Sequence, residues 1–207
     1  MTTTDVMPAK STVDQIFGTI LEGQTWRNLL YLLLSFPLGL VYFVVTITLL
    51  SVGIGTAVIV VGIPILIIAF TLVRAFVAGE RALLWKLLGS YIPAPAARPR
   101  PTGLIDRMMS YLGDAQLWKG LVYLLLHFPF GVVSFGLVVS LIPVSLGLLT
   151  APLTYSVIPY TVGLERITTF DQAVLCCSAG AILGLLSLHL LNLWATFWKK
   201  IGTALLT

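Results

Sequence analysis

The sequence predicts an all-α membrane protein: four transmembrane helices forming two repeated helical hairpins, with interfacial amphipathic helices beside them. Three observations lead there. First, 58% of the 207 residues are hydrophobic and 10% are charged, with a mean hydropathy of +1.02. A soluble domain carries about 25% charged residues, and polar side chains this sparse cannot cover a soluble fold of this size. Second, the apolar residues gather into four arms, each approaching or exceeding the ~20 residues that cross ~30 Å of hydrocarbon. Third, Trp26 to Gly39 (WRNLLYLLLSFPLG) recurs as Trp118 to Gly131 (WKGLVYLLLHFPFG), an offset of 118 − 26 = 92. Greasy helices share Leu and Val by chance, but not Trp, Tyr, Pro and Gly in register, so a duplicated unit is expected.

Taken in chain order, residues 1–25 read as a tail or short surface helix. Asp5, Asp14 and Glu22 interrupt any apolar core that a signal peptide would need. The first hairpin repeat covers 26–89. Its first arm runs from Leu29 to Val52, Gly53-Ile54-Gly55-Thr56 marks the break, and the second arm runs from Ala57 to Val77. Pro64 falls near the start of that arm, where a missing N–H costs nothing. Residues 90–103 form a linker with Pro93, Pro95, Pro99 and Pro101, which forbid a continuous helix and favour an extended, solvated chain. Residues 104–207 hold an amphipathic segment and the second hairpin repeat. Its arms run from Leu121 to Leu149 and from Ala173 to Trp198, joined by a polar connection from Thr150 to Gln172. Amphipathic pieces flank the linker, Gly79 to Leu88 before it and Leu104 to Leu112 after it. Leu83, Leu84, Leu87, Met108, Met109 and Leu112 are expected at the headgroup level. The end of the fourth arm aligns more weakly with the first half at 199 − 81 = 118, pairing Arg81 with Lys199 and Leu88 with Leu206.

The net charge is +4. A basic balance raises nucleic acid as a partner, but here the cations sit beside apolar runs, so no nucleic-acid partner is expected and the bilayer itself is the first partner. Seven of the twelve Lys and Arg lie between Arg74 and Lys119; Lys10, Arg27, Lys199 and Lys200 lie near the ends, and only Arg166 falls in the other two connections. The positive-inside rule then places both termini and the linker in the cytoplasm of a plasma-membrane protein with four crossings. Trp26, Trp85, Trp118, Trp194 and Trp198 fall near the inner ends and Tyr155 and Tyr160 on the outer side, as in an aromatic belt.

Chemistry-bearing candidates are few. No phosphate-binding glycine loop, zinc-protease helix or nucleophile elbow occurs, so no catalytic, cofactor-binding or metal site is expected. Cys176 and Cys177 are adjacent, which disfavours a disulfide, and read as small apolar helix residues. Pro37 with Gly39 and Pro129 with Gly131 are candidate hinges. Each proline removes a backbone hydrogen bond inside an arm, giving a static kink, a moving one, or an interfacial helix followed by a separate crossing. His127 replaces Ser35 of the first half and is the sharpest sensing candidate, since ionisable side chains in membrane segments are costly and titrate near neutrality; the bland alternative has it reaching headgroups. His189 is a weaker version of the same idea. Glu165, Arg166 and Asp171 are the charges of the outer connection and candidate sensing residues, set against a plain solvated loop. Arg74, Glu80 and Arg81 read as topology and headgroup contacts. Gly180 and Gly184 form a GxxxG on the fourth arm, nominating a helix contact or a homodimer face.

The repeated Trp-[Arg/Lys]…Tyr-Leu-Leu-Leu…Phe-Pro-[Leu/Phe]-Gly unit, Gly62-Ile63-Pro64, Glu80-Arg81 and the Pro-rich linker together resemble a known family over nearly the whole chain, from about Phe17 onward. It is the sensor domain found at the N-terminus of many prokaryotic two-component histidine kinases and also as a standalone membrane protein. The resemblance implies a four-helix, non-enzymatic input module. No phosphoacceptor helix follows Lys199-Lys200, which suggests a standalone version or a fragment. A histidine kinase, a transcription regulator or an ABC transporter is then the expected class of partner. A small transporter or channel subunit is the alternative, because duplicated halves also occur in transporters.

Overall fold

A computed structural model describes residues 23–59, 61–93, 103–154, 161–162, 165–166 and 169–206. The tail before Gly23, most of the linker including Arg98 and Arg100, and Tyr155 and Tyr160 lie outside these residues. Helix α1 is Gly23–Gly55 and α2 is Gly62–Leu88, separated by one 3-10 turn at Ala57–Ile59. Helix α3 is Leu104–Leu112 and α4 is Ala115–Leu149. A short α5, Ala151–Thr154, and an antiparallel ladder of β1 (Thr161–Val162) with β2 (Glu165–Arg166) precede α6, Phe170–Leu206. Apart from that ladder the described fold is all-helical. Helices α1, α2, α4 and α6 are each long and apolar enough to cross a membrane, and the chain is a multi-pass membrane protein. At 1.5 Å per residue, the 37 residues of α6 reach about 55 Å, well past the hydrocarbon.

Several expected boundaries need correction. The second arm begins at Gly62 rather than Ala57, because Thr56 to Ile59 turn the chain. It also runs on unbroken to Leu88, so Gly79 to Leu88 is no separate surface piece. Leu84 is fully buried and Leu83 and Leu87 pack on the core. Gly89 ends the helix in the left-handed region, φ 62°, with its N–H bonded to the Trp85 carbonyl, a conformation glycine adopts without strain. Among the described residues only α3 stands as a separate amphipathic helix. It exposes Leu104, Ile105, Met109 and Leu112 while burying Tyr111. Helices α1 and α4 continue without a break past Pro37 and Pro129, and α4 also contains Pro143. The alternative of an interfacial helix followed by a separate crossing is therefore excluded. All three prolines face outward.

The centre of the bundle is the contact of α1 with α4, made by the recurring segments themselves. A Cβ on Gly39 would lie 2.8 Å from the His127 carbonyl oxygen, and a Cβ on Gly131 would collide with the Ser35 carbonyl oxygen. Phe36 meets Phe135 at 5.1 Å between ring centroids and Phe43 meets Phe128 at 4.9 Å. Since 35 + 92 = 127, 36 + 92 = 128, 39 + 92 = 131 and 43 + 92 = 135, each contact is answered by its counterpart. The same holds at 118: Arg81 donates to the Leu206 carbonyl at 2.6 Å and Lys199 to the Leu88 carbonyl at 3.0 Å. Without water to drive helices together, small residues that allow backbones to touch are the usual membrane solution.

Candidate functional site

The inward stripe of α2 reads Leu66, Phe70, Val73, Val77, Glu80, Leu84, Leu88. Steps of three and four residues keep this row on one face. Glu80 therefore occupies a core position in an otherwise apolar row, and its side chain is fully buried. A buried carboxylate must be hydrogen-bonded or paired, since desolvating a lone charge is prohibitive. The two helices across from it supply the partners. Tyr31 of α1 donates to Oε1 at 2.5 Å, Tyr123 of α4 donates to the same oxygen at 3.2 Å, and Tyr42 of α1 donates to Oε2 at 3.4 Å. Tyr31 and Tyr123 are counterparts in the recurring segment, since 31 + 92 = 123. A carboxylate accepts about four hydrogen bonds, and three hydroxyls supply three of them.

His127 of α4 completes the cluster. Its Nδ1 lies 3.8 Å from Glu80 Oε1, it has no solvent exposure, and neither ring nitrogen has a hydrogen-bond partner. Five aromatic rings cage it: Tyr31, Tyr42, Tyr123, Phe130 and Trp198, the last at 5.5 Å between centroids. Trp198 in turn stacks on Phe130 at 3.9 Å. It is a core residue, which corrects its assignment to the interfacial belt. Trp26, Trp85 and Trp118 remain outward-facing, and Trp194 is partly buried against Phe130. Counted at offset 118, Trp198 stands where Glu80 stands in the first hairpin (80 + 118 = 198).

The reading of Glu80 as a headgroup contact is likewise corrected, and Arg74 and Arg81 make contacts within the chain. Glu80 anchors the core cluster. Arg81 reaches the Leu206 carbonyl. Arg74 pairs with Asp114 at 2.6 Å and lies 4.5 Å over the Tyr111 ring. Asp114 also accepts from the Gln116 N–H as the cap of α4, and Thr71 shares a 3.1 Å hydrogen bond with Tyr111. These contacts tie α3 and the start of α4 to α2.

The other candidates fall elsewhere. Gly39 and Gly131 form the crossing beside His127, while Pro37 and Pro129 face away from it. Gly180 and Gly184 face α4 within the same chain, against Leu148, Leu149 and Ser145, and the Ser145 hydroxyl donates to the Gly180 carbonyl at 3.0 Å. Glu165 and Arg166 pair through their backbones in the ladder, and their side chains lie outside what is described. Asp171 is exposed in the first turn of α6, and 198 − 171 = 27 residues, about 40 Å of helix, separate it from Trp198 beside His127. His189 is exposed and bonds only its own helix. Asp171 and the cluster at His127 thus lie toward opposite ends of the bundle. Among the described residues no group of three or more His, Cys, Asp or Glu is placed to hold a metal ion.

One signal could have found the missed member: Glu80 interrupts an i, i+3, i+4 apolar row, which is visible in the sequence alone. Its tyrosine partners sit on other helices and needed the packing. No curated protein and no solved structure matches the chain. The model of the family described as "Putative sensor" matches residues 2–50 and 31–206, overlapping on the first crossing. With the four long apolar helices and that coverage, the chain belongs to this sensor family.

Proposed function

We propose that this chain is a non-enzymatic sensor or signalling-accessory module of the plasma membrane, in which a membrane or extracytoplasmic stimulus changes how the two hairpins cross. The carrying observation is the cluster of Glu80, Tyr31, Tyr42, Tyr123 and His127. It joins three helices beside the crossing where Gly39 packs on His127 and Gly131 on Ser35, so any change in its bonding bears on the central crossing. The reciprocal contacts at offsets 92 and 118 support reading the hairpins as a duplicated unit with the repeats at 26–89 and 104–207. The distribution of Lys and Arg supports termini and linker in the cytoplasm. Helix α3, held to α2 through Arg74 and Tyr111, stands beside the linker as the element a cytoplasmic partner would read. A histidine kinase, a transcription regulator or an ABC transporter is the partner class in view.

The test uses Met109→Cys, an exposed α3 position, with Cys176→Ser and Cys177→Ser. Its maleimide labelling rate is followed in vesicles of varied anionic lipid content, pH and osmotic load. The rate is expected to change with at least one of these. Equal rates throughout, or labelling only from the outer side, would reject the reading.

A further inference from the structure

We propose that Glu80 and His127 form a buried proton-binding site, so that the ion this sensor module responds to is the hydrogen ion. The inference rests on the sensor reading and names its stimulus. Its basis is geometric. Two ionisable side chains with no solvent exposure face one another at 3.8 Å across α2 and α4. Glu80 is held by three hydroxyl donors, while both nitrogens of His127 are unpartnered. A neutral imidazole can turn one N–H toward the carboxylate but leaves its other nitrogen an unmet acceptor in this apolar cage, whereas a protonated one turns the same N–H with a full positive charge toward a carboxylate within an ångström of hydrogen-bond distance. The protonated pair is neutral overall. The deprotonated pair leaves one negative charge held by tyrosine hydroxyls alone.

The remaining neighbours sharpen the assignment. Helix α1 contributes only Tyr31 and Tyr42, and α4 contributes Tyr123 beside His127. Helix α6 contributes Trp198, and its Lys199 is directed to the Leu88 carbonyl. On α2, Arg81 turns to the Leu206 carbonyl. Among the described residues His127 is thus the one cationisable group placed to neutralise Glu80. The response has a mechanical path, because the His127 carbonyl oxygen is the atom against which Gly39 packs. A ring that moves toward Glu80 moves at the crossing itself.

The experiment is ¹⁵N NMR of histidine-labelled protein in nanodiscs, with His189→Asn so that only His127 reports. The expected result is one imidazole titration between about pH 5 and 8, where histidine changes charge, lost from that window in Glu80→Gln. No titration in the parent protein, or the same titration in Glu80→Gln, overturns the proposal. Should Glu80→Gln not fold, Tyr31→Phe removes one donor and keeps the carboxylate, and a midpoint moved by about half a pH unit or more is expected; an unmoved midpoint overturns the pairing. The two readings fail separately. Titration with no labelling change at Met109 sinks the sensor reading. Labelling that follows lipid or osmotic load without titration of His127 sinks the proton site.

Discussion

Glu80 determines how much of the core depends on one side chain. Replacing it with Ala removes the acceptor of three tyrosine hydroxyls and leaves them and His127 around an unfilled cavity. Breaking a buried polar network from one side costs about 3–5 kcal/mol, so Glu80→Ala is expected to lose most of its folded population in detergent unfolding curves. Glu80→Gln keeps an acceptor oxygen and is expected to cost about 1–3 kcal/mol. Combining Glu80→Met with Phe at positions 31, 42 and 123 removes both sides of each bond. That variant should recover much of the loss, because apolar replacement of a whole network is often neutral. A quadruple variant no better than Glu80→Ala would mean the cluster is not the source of the penalty. At this scale the sequence was partly legible. His127 stood out because it breaks a match with Ser35. Glu80 was hidden because a carboxylate near the end of an apolar arm, beside Arg81, has the same appearance whether it faces lipid headgroups or a ring of tyrosines. Only the phase of the α2 row separates the two.

Helices carry the next level of argument, and glycines decide it. Gly39 and Gly131 admit no Cβ without moving the opposing backbone, whereas Gly55 and Gly136 have nothing within 4 Å of a built Cβ. Overpacking a close contact costs about 1–3 kcal/mol, while Gly→Ala at an unobstructed helical site gains up to about 1 kcal/mol. Thermal unfolding should therefore rank Gly39→Ala and Gly131→Ala below the parent and Gly55→Ala and Gly136→Ala at or above it. A uniform response of all four would contradict the crossing geometry. Helix α3 gives a second case. Asp114→Ala removes both the α4 cap and the partner of Arg74, with an expected cost of about 1–2 kcal/mol. Arg74→Ala, at a partly exposed pair, should cost about 1 kcal/mol or less. Hydrogen exchange of α3 should rise more in Asp114→Ala than in Arg74→Ala. The four long helices were visible in the sequence because length and hydropathy are additive along a chain. Their ends were not. The run from Gly79 to Leu88 looked like a surface piece because its charges are frequent, yet its apolar face continues the row above it without a break in phase.

The whole molecule turns on the reciprocity of its two halves. Contacts made by α1 positions on α4 are answered at offset 92, and the two cation-to-carbonyl bonds at the linker end are answered at offset 118. The difference, 118 − 92 = 26 residues, is shared between the longer connection before α6 and the first turns of α6 itself, since 62 + 118 = 180 places the counterpart of the α2 start inside α6. On the duplication reading, a first half alone could form the same crossing with a second copy of itself, Gly39 against Ser35 and Phe36 against Phe43. What opposes this is the cluster. Such a dimer would bring together two Glu80 side chains, because the position that Trp198 fills in the second half would be filled by Glu80 again, and two carboxylates desolvated at one site repel. The second half lacks that charge and supplies Trp198 and His127 instead. Co-expressed fragments 1–93 and 103–207 should therefore recover each other on a tag placed on either, and the first fragment should self-associate less than it pairs. Gly131→Leu in the second fragment should abolish recovery, because its side chain would enter the Ser35 backbone, and Glu80→Gln in the first should raise self-association by relieving the repulsion. Equal self-association with and without that substitution would show that the crossing, rather than the buried charge, sets which halves combine.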